Sequence, residues 1–329
     1  MAGPFFNAIK GTTAGTPGTG AFTPNAASTG FLAWSTVPTG WVGMVRYEDG
    51  TAWELQYSYW NGTTLSRAAT TQFVSSSSGS ALTLTSAATA AMVADANEIA
   101  PHQVFTVGTW FTAFGLDAVA ASGILTASVA GTFSPATFSA ATLIGGQPRI
   151  SYTSATTLNA QSGVFNSTAI AAANSTAGLG GYEFSARFGG SVLVTGQRMF
   201  AGVTSVSQNT PGEPSALVTN MAALGKDSTD TNFQFLTKDG TTASKTNTGI
   251  PFVANGLYEV FVWSNPGSLT VFMLLIRRDT GAIYYGSKAT NAPLTATGMF
   301  PQIIGGLATT TGTAFVLQFV TMSLKYGGF

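Results

Sequence analysis

Between Asp49-Gly50 and Asn61-Gly62 the chain has little choice but to form β-hairpins. Both dipeptides favour tight β-turns. Between them Trp53, Leu55, Tyr57 and Tyr59 fall on one face, with Glu54, Gln56, Ser58 and Trp60 on the other. A side-chain period of two bounded by such turns describes a strand and excludes an amphipathic helix. FLAWSTV and GWVGMVRY lead in, and TTLSRAATTQFV, a polar SSSSGS turn and ALTLT lead out. Residues 31–98 therefore predict a small β-meander module.

The same period recurs from residue 145 to 329. YEFSARF sets Tyr182, Phe184, Ala186 and Phe188 against Glu183, Ser185 and Arg187. LYEVFVW, SLTVFMLLIRR, AIYYG and TAFVLQFVTMSLKY follow, separated by Asn-Pro-Gly, Asp-Thr-Gly and Gly-rich turns. Phe315 to Tyr326 is apolar on both faces, the pattern of a central strand between two covering layers. The expected fold class is all-β: the small β-meander module, then a β-sandwich or jelly roll. Residues 1–30, rich in Gly, Thr, Pro and Ala, read as an extended N-terminal arm ordered by packing on neighbouring subunits. Residues 99–144 read as a linking region with strands of its own. Ala87–Gln103 carries good helix formers and predicts a short helix ending before Pro101.

Composition narrows the function classes. Charged residues make up 8% of the 329, against roughly 25% in ordinary soluble domains. Lys+Arg and Asp+Glu balance at 13 each, which gives no basis for capturing nucleic acid. A surface of Ser, Thr, Asn, Gln and Gly can be buried against another subunit at low desolvation cost, so the chain reads as part of an assembly. It has no cysteine, no basic leader followed by an apolar core, and no apolar run longer than LTVFMLLI. The expectation is a chain made in the cytoplasm without membrane insertion.

Few residues suggest chemistry. His102, the single histidine, would have to serve any Ser-His-Asp triad or His-ligated metal, and its place in APHQ suits a helix end better. Glu259 interrupts an apolar strand and calls for a partner among Arg187, Arg277 and Arg278, as a structural ion pair rather than a catalytic acid. Asp227, Asp230 and Asn232 in KDSTDTN could cap a Ca²⁺ ion but lack the spacing of an EF-hand loop. GGQP, GLGG and FGG are turns without a phosphate-binding setting, and Asn166 and Asn174 head NST triplets that matter only on a secretory route. Trp60, beside Asn61-Gly62 and opposite in phase to Trp53, is the candidate for stacking on a sugar. No catalytic residue, metal or cofactor is expected.

The pattern of an acidic-Gly turn, W-E, a second hairpin and T-L-x-R is present as Glu48-Asp49-Gly50, Trp53-Glu54 and Thr64-Leu65-Ser66-Arg67. It resembles a β-module of tailed-bacteriophage structural proteins. GGYEFSARFGG, GQRMFAGVTS and DTNFQFL resemble the lectin-like jelly-roll domain of phage tail and fibre proteins. The resemblance implies a non-enzymatic virion component made in the host cytoplasm. Its partners would be copies of itself, trimers in a fibre or spike, and other virion proteins, in a tail appendage or as capsid decoration. The alternative is a receptor-binding protein whose jelly roll holds a host glycan, with a polysaccharide depolymerase behind it.

Overall fold

The computed structural model describes residues 9–67, 74–77, 81–93, 107–112, 120–122, 127–166, 169, 171–172, 181–208, 211–265, 267–294 and 297–326. The chain divides into two compact units, Met1–Gln103 with Thr280–Tyr285, and Val104–Asp279 with Gly286–Phe329.

In the first unit, β1 (Lys10–Thr13), β2 (Pro24–Ala27), β3 (Val42–Asp49), β4 (Ala52–Tyr59), β5 (Val74–Ser75) and β6 (Thr89–Met92) form one sheet. Its order is β2-β1-β6-β3-β4-β5, so β3, β4 and β5 are the expected meander. Asp49 pairs with Ala52 across a turn in which Gly50 takes φ 63°, a value that glycine adopts without a Cβ clash. At the second turn Asn61 Oδ1 accepts from the Thr63 and Thr64 amides at 2.9 and 2.7 Å, an Asx turn that sends the chain back. From Ile9 onward the N-terminal arm is extended, and its bonds are made within its own module. There β1 lies between β2 and β6, and Ile9 and Phe22 are buried in the core.

One expected helix is a strand. Ala88, Ala90 and Met92 are buried while Thr89 and Ala91 are half-buried, and the peptide groups of β6 complete ladders with β1 and β3. Those pairings override the helix propensity of alanine. From residue 94 on, that stretch, His102 included, lies outside the described residues.

The remaining strands begin with β7 (Val107–Thr112), β8 (Ala120–Ser122), β9 (Ala127–Ala130), β10 (Thr132–Pro135), β11 (Ile150–Thr153) and β12 (Gln161–Asn166). Next come β13 (Ala171–Ala172), β14 (Tyr182–Gly190), β15 (Gln197–Thr204), β16 (Asn220–Lys226), β17 (Asn232–Asp239) and β18 (Ala243–Pro251). The last are β19 (Tyr258–Ser264), β20 (Val271–Arg277), β21 (Ala282–Lys288), β22 (Gly298–Leu307) and β23 (Val316–Tyr326).

One sheet runs β10-β11-β23-β14-β19-β20-β21, with β7 on β23 and β8 on β7. The other runs β18-β17-β16-β15-β22-β12-β9, with β13 on β22. The linking region of the sequence thus supplies β7 to β10, which pair within these two sheets. Phe188 and Tyr258 from the first sheet meet Phe233 from the second, with ring centroids 6.3 and 5.0 Å apart and edges turned to faces. Phe252 stacks on Tyr258 at 5.7 Å, and Phe315 adjoins Phe252. This aromatic layer is the core of a β-sandwich. The long strand β23 pairs with β14 along one edge and with β11 and then β7 along the other, so Leu317 to Val320 are buried in succession.

Candidate functional site

In the module, Glu54, Gln56 and Ser58 occupy the fully buried face of β4 and Trp60 follows in the same phase just beyond it, each 3% exposed or less. Arg67 donates through Nε and Nη2 to the two oxygens of Glu54, and both side chains are 0% exposed. Its Nη1 donates to the Gly18 carbonyl at 2.7 Å and its Nη2 also to the Leu82 carbonyl. Glu54 accepts in addition from the Leu82 amide and from Gln56 Nε2, both at 2.8 Å. A buried ion pair persists only when its remaining donors and acceptors are satisfied in this way. Trp53-Glu54 and Leu65-Ser66-Arg67 are therefore the two halves of one internal clamp. Tyr47 closes it, its hydroxyl 2.7 Å from Ser58 Oγ, and burial pushes its pKa well above the usual tyrosine value.

Trp60 is a core residue, which corrects its assignment as a sugar-stacking ring. Its indole N–H donates to the Val37 carbonyl at 3.1 Å, and its ring lies 5.9 Å from that of Trp34. A residue beside a hairpin tip is exposed only if its phase points outward, and Trp60 shares the inward phase of Glu54.

In the sandwich, the named acids are held by cations or turns. Glu259 lies opposite Arg187 in register, accepts from its Nη2 at 2.9 Å, and also pairs with Arg278. Arg277, the third expected partner, goes to Asp279 at 2.7 Å. The Lys245 ammonium contacts Asp227 at 2.6 Å and Asp230 at 2.7 Å, so the cation in the KDSTDTN loop is a lysine. Burial alone would raise the Asp227 carboxyl, but hydrogen bonds from Lys245 and Ser215 outweigh it and hold the group below the usual range. Asn232 opens β17, and its carbonyl accepts from Gln234. Among the described residues no group of three or more His, Cys, Asp or Glu side chains could hold a metal.

The chemistry of the sandwich converges on a cleft that the sequence did not single out. On the outer side of the second sheet, β15, β22 and β12 place Arg198, Gly306 and Gln161 in one cross-strand row. A Cβ on Gly306 would stand 3.1 Å from the Ala160 carbonyl and 3.6 Å from Gln161 Cγ, so the missing side chain keeps a slot open. The adjacent row is Phe200, Ile304 and Gly163, and Leu217 and Pro214 help close the cleft. Its cavity volume is about 20 Å³, room for about one water, so it is a shallow depression in the sheet surface and not an enclosed pocket.

The polar groups of the cleft are held by bonds within the protein. Arg198 donates to Glu213 Oε1 at 3.0 Å and to Asn159 Oδ1 at 3.1 Å. Asn159 sits at φ 64°, in the left-handed region, with its amide donating to the Leu307 carbonyl at 3.0 Å. Strain of that kind, of order 1 kcal/mol, persists where surrounding bonds over-determine it. Residues 211–219 are strapped down at both flanks. The Ser228 amide and hydroxyl donate to Glu213 at 2.7 and 2.6 Å, and those of Ser215 to Asp227 at 3.0 and 2.6 Å. Burial pushes Glu213 up, yet the Ser228 bonds and Arg198 prevail and keep its pKa below the usual carboxylate range.

No family model matches the chain, and no curated protein matches it. A protein of unknown function from Shewanella oneidensis is a similar solved structure, at 15% identity over 71% of this chain and 95% of that chain, with TM-score 0.49. The basic winged bean lectin with Tn-antigen is similar at 9% identity over 67% and 98%, TM-score 0.44. Arcelin-5, a lectin-like defence protein from Phaseolus vulgaris, is similar at 11% identity over 67% and 97%, TM-score 0.44. At such scores none of these bears on function. The fold rests on the chain's own sheets: an all-β protein with a small β-meander module and a β-sandwich.

Proposed function

We propose that this chain is a non-catalytic recognition protein whose β-sandwich binds a glycan. The observation that carries the proposal is the shallow, glycine-centred groove on the sheet surface, with Arg198, Asn159 and Gln161 along its polar side and Phe200, Ile304 and Leu217 along its apolar side, against which the edge of a sugar ring could lie. A sugar ring has that division, with hydroxyls at the edge and C–H groups on one face. Catalysis of glycan cleavage would need two opposed carboxyl groups roughly 5–10 Å apart. Glu213, Asp227, Asp230 and Glu259 are each committed to a cation.

The test is the full chain on a glycan array, followed by calorimetry with the saccharides retained. Gly306→Leu, which fills the groove and presses on the Ala160 carbonyl, is expected to weaken binding by about tenfold or more in a variant that a thermal melt shows to be folded. Retention of no saccharide at millimolar concentration overturns the proposal, as does a Gly306→Leu variant that binds normally. Release of reducing ends from a bound polysaccharide would overturn the non-catalytic part.

A second reading, a structural role in an oligomeric assembly, is favoured by the apolar side chains the sandwich leaves exposed. Val218 is 82%, Phe138 71% and Leu193 63% exposed, on a chain with few charges to keep copies apart. Light scattering on the purified chain tests it: trimers or larger assemblies support the reading, and a monomer at high micromolar concentration removes it.

A further inference from the structure

We propose that the first unit holds a separate site for a small, uncharged aromatic molecule with one hydroxyl group, of the size of phenol. The proposal goes beyond the glycan reading and does not rest on it. The segment Thr280–Tyr285 belongs to the first unit, where it borders a cavity together with Tyr57, Ser66 and Arg67. That cavity measures about 130 Å³, against about 20 Å³ for the groove on the sandwich. A void of roughly 150 Å³ with apolar walls is enough to take up benzene. Here the walls are mainly apolar too. The rings of Tyr57 and Tyr285 are stacked, with centroids 5.5 Å apart and planes 30° from parallel, and Ala282 and Ile283 add aliphatic surface. Ligand sites combine such a lining with a few placed polar groups.

The walls are fixed by bonds and contacts of the protein itself. Gly281 has φ 73°, and a Cβ there would run into the Tyr59 ring, so the missing side chain lets the turn lie on that ring. Arg67 is the one charged residue of the lining, and every N–H of its guanidinium is taken. Nε and Nη2 donate to Glu54, Nη2 also to the Leu82 carbonyl, and Nη1 to the carbonyls of Gly18 at 2.7 Å and Gly20 at 3.4 Å. It therefore has no donor left for a ligand. Ser66 does. Its hydroxyl oxygen accepts from the Tyr59 amide at 2.8 Å, and among the described residues its proton has no acceptor. A ring with one hydroxyl oxygen matches that donor, and its remaining surface matches the apolar walls. Aromatic pairs gain more than the area they bury, which favours an aromatic ring over a saturated one of the same size.

Calorimetry of the full chain with phenol tests the proposal, with cyclohexanol and methyl glucoside as comparisons. Phenol is expected to bind at a single site with a dissociation constant below about 1 mM, and about fivefold or more ahead of either saturated ring. Ala282→Leu adds bulk to the wall and is expected to weaken phenol by about tenfold or more. Tyr285→Leu keeps an apolar wall while removing one ring. It is expected to cut the preference for phenol over cyclohexanol by about twofold or more.

Absence of phenol binding to the wild-type chain at millimolar concentration overturns the proposal. So does cyclohexanol or methyl glucoside bound as tightly as phenol. A folded Ala282→Leu variant that binds phenol normally overturns it as well, as does a folded Tyr285→Leu variant with unaltered preference. A thermal melt establishes that each variant is folded; if neither is, the wild-type comparison of the three ligands decides alone. None of these outcomes bears on the glycan array, which reads the groove of the other unit.

Discussion

The inward side of β4 in the module presents Glu54, Gln56 and Ser58, whereas the inward sides of β14, β17 and β19 in the sandwich present Phe184, Phe188, Phe233, Tyr258 and Val260. Both faces are buried to a similar degree, and they use that burial differently. The large unit has two broad sheets whose apolar faces cover each other. The module has one sheet and several connecting segments with few ladder bonds of their own. Small units bury a smaller fraction of their surface and lean on specific ties. The Glu54–Arg67 pair is such a tie, fastening the backbone at Gly18 and at Leu82 to the sheet. Polar residues in an alternating strand are therefore no guide to the solvent side when their partners lie elsewhere in the chain.

The largest test of this contrast is Glu54→Ala. It leaves the Arg67 guanidinium buried without its partner, and should cost about 3–5 kcal/mol, enough to unfold the module at moderate urea. Glu54→Leu with Arg67→Leu should recover only part of that, because the Leu82 amide and carbonyl lose their partners, while the Gly18 carbonyl keeps the Leu84 amide. Urea unfolding followed by tryptophan fluorescence measures both, and a single-mutant cost near zero would break the comparison. In the sandwich, Phe233→Leu keeps an apolar side chain in an apolar layer and should cost about 1.5 kcal/mol or less. A much larger loss there would mean that ring geometry, and not apolar volume, holds the second core.

The smallest expected effect is acid sensitivity of the strap over the cleft. The folded Asp227 carboxyl titrates below its ordinary value. Its contribution is then complete above the ordinary carboxylate range, near pH 4, and fades as the pH falls through the lower folded value. Asp227→Asn should flatten that part of the stability profile by about 1 kcal/mol or less, since Lys245 is partly solvated. The alkaline side runs the other way. Burial pushes Tyr258 up to about 12, and its hydroxyl donates to the Pro251 carbonyl. That contribution holds below the unfolded tyrosine value and is lost as the pH climbs from about 10 through the folded one. Denaturant titrations across the two pH ranges would show both slopes.

Much of the fold was legible because its signals are local. Asp49-Gly50 and Asn61-Gly62 make the turns expected of them, and the alternation of Tyr182 to Phe188 survives as β14 with one buried and one half-buried side. Thr89–Met92 failed as a helix because alanine carries little directional preference once neighbouring strands offer hydrogen bonds. The ion pair of Glu259 was legible from one charge in an apolar strand. The cleft was not, since Asn159, Gln161, Arg198 and Gly306 are ordinary residues in separate segments.

By itself the sequence determined the secondary-structure class, most turns and the presence of a module before a larger β-domain, because side-chain period and turn chemistry act over a few residues. Only the tertiary structure decided which face of β4 is the inside, and that Trp60 is core. Both faces of that strand carry aromatic rings, so apolar content cannot choose between them. The choice falls to Arg67, which reaches Glu54 only after the second hairpin has turned the chain back. The cleft likewise exists only once three strands come into register and Gly306 falls between Arg198 and Gln161.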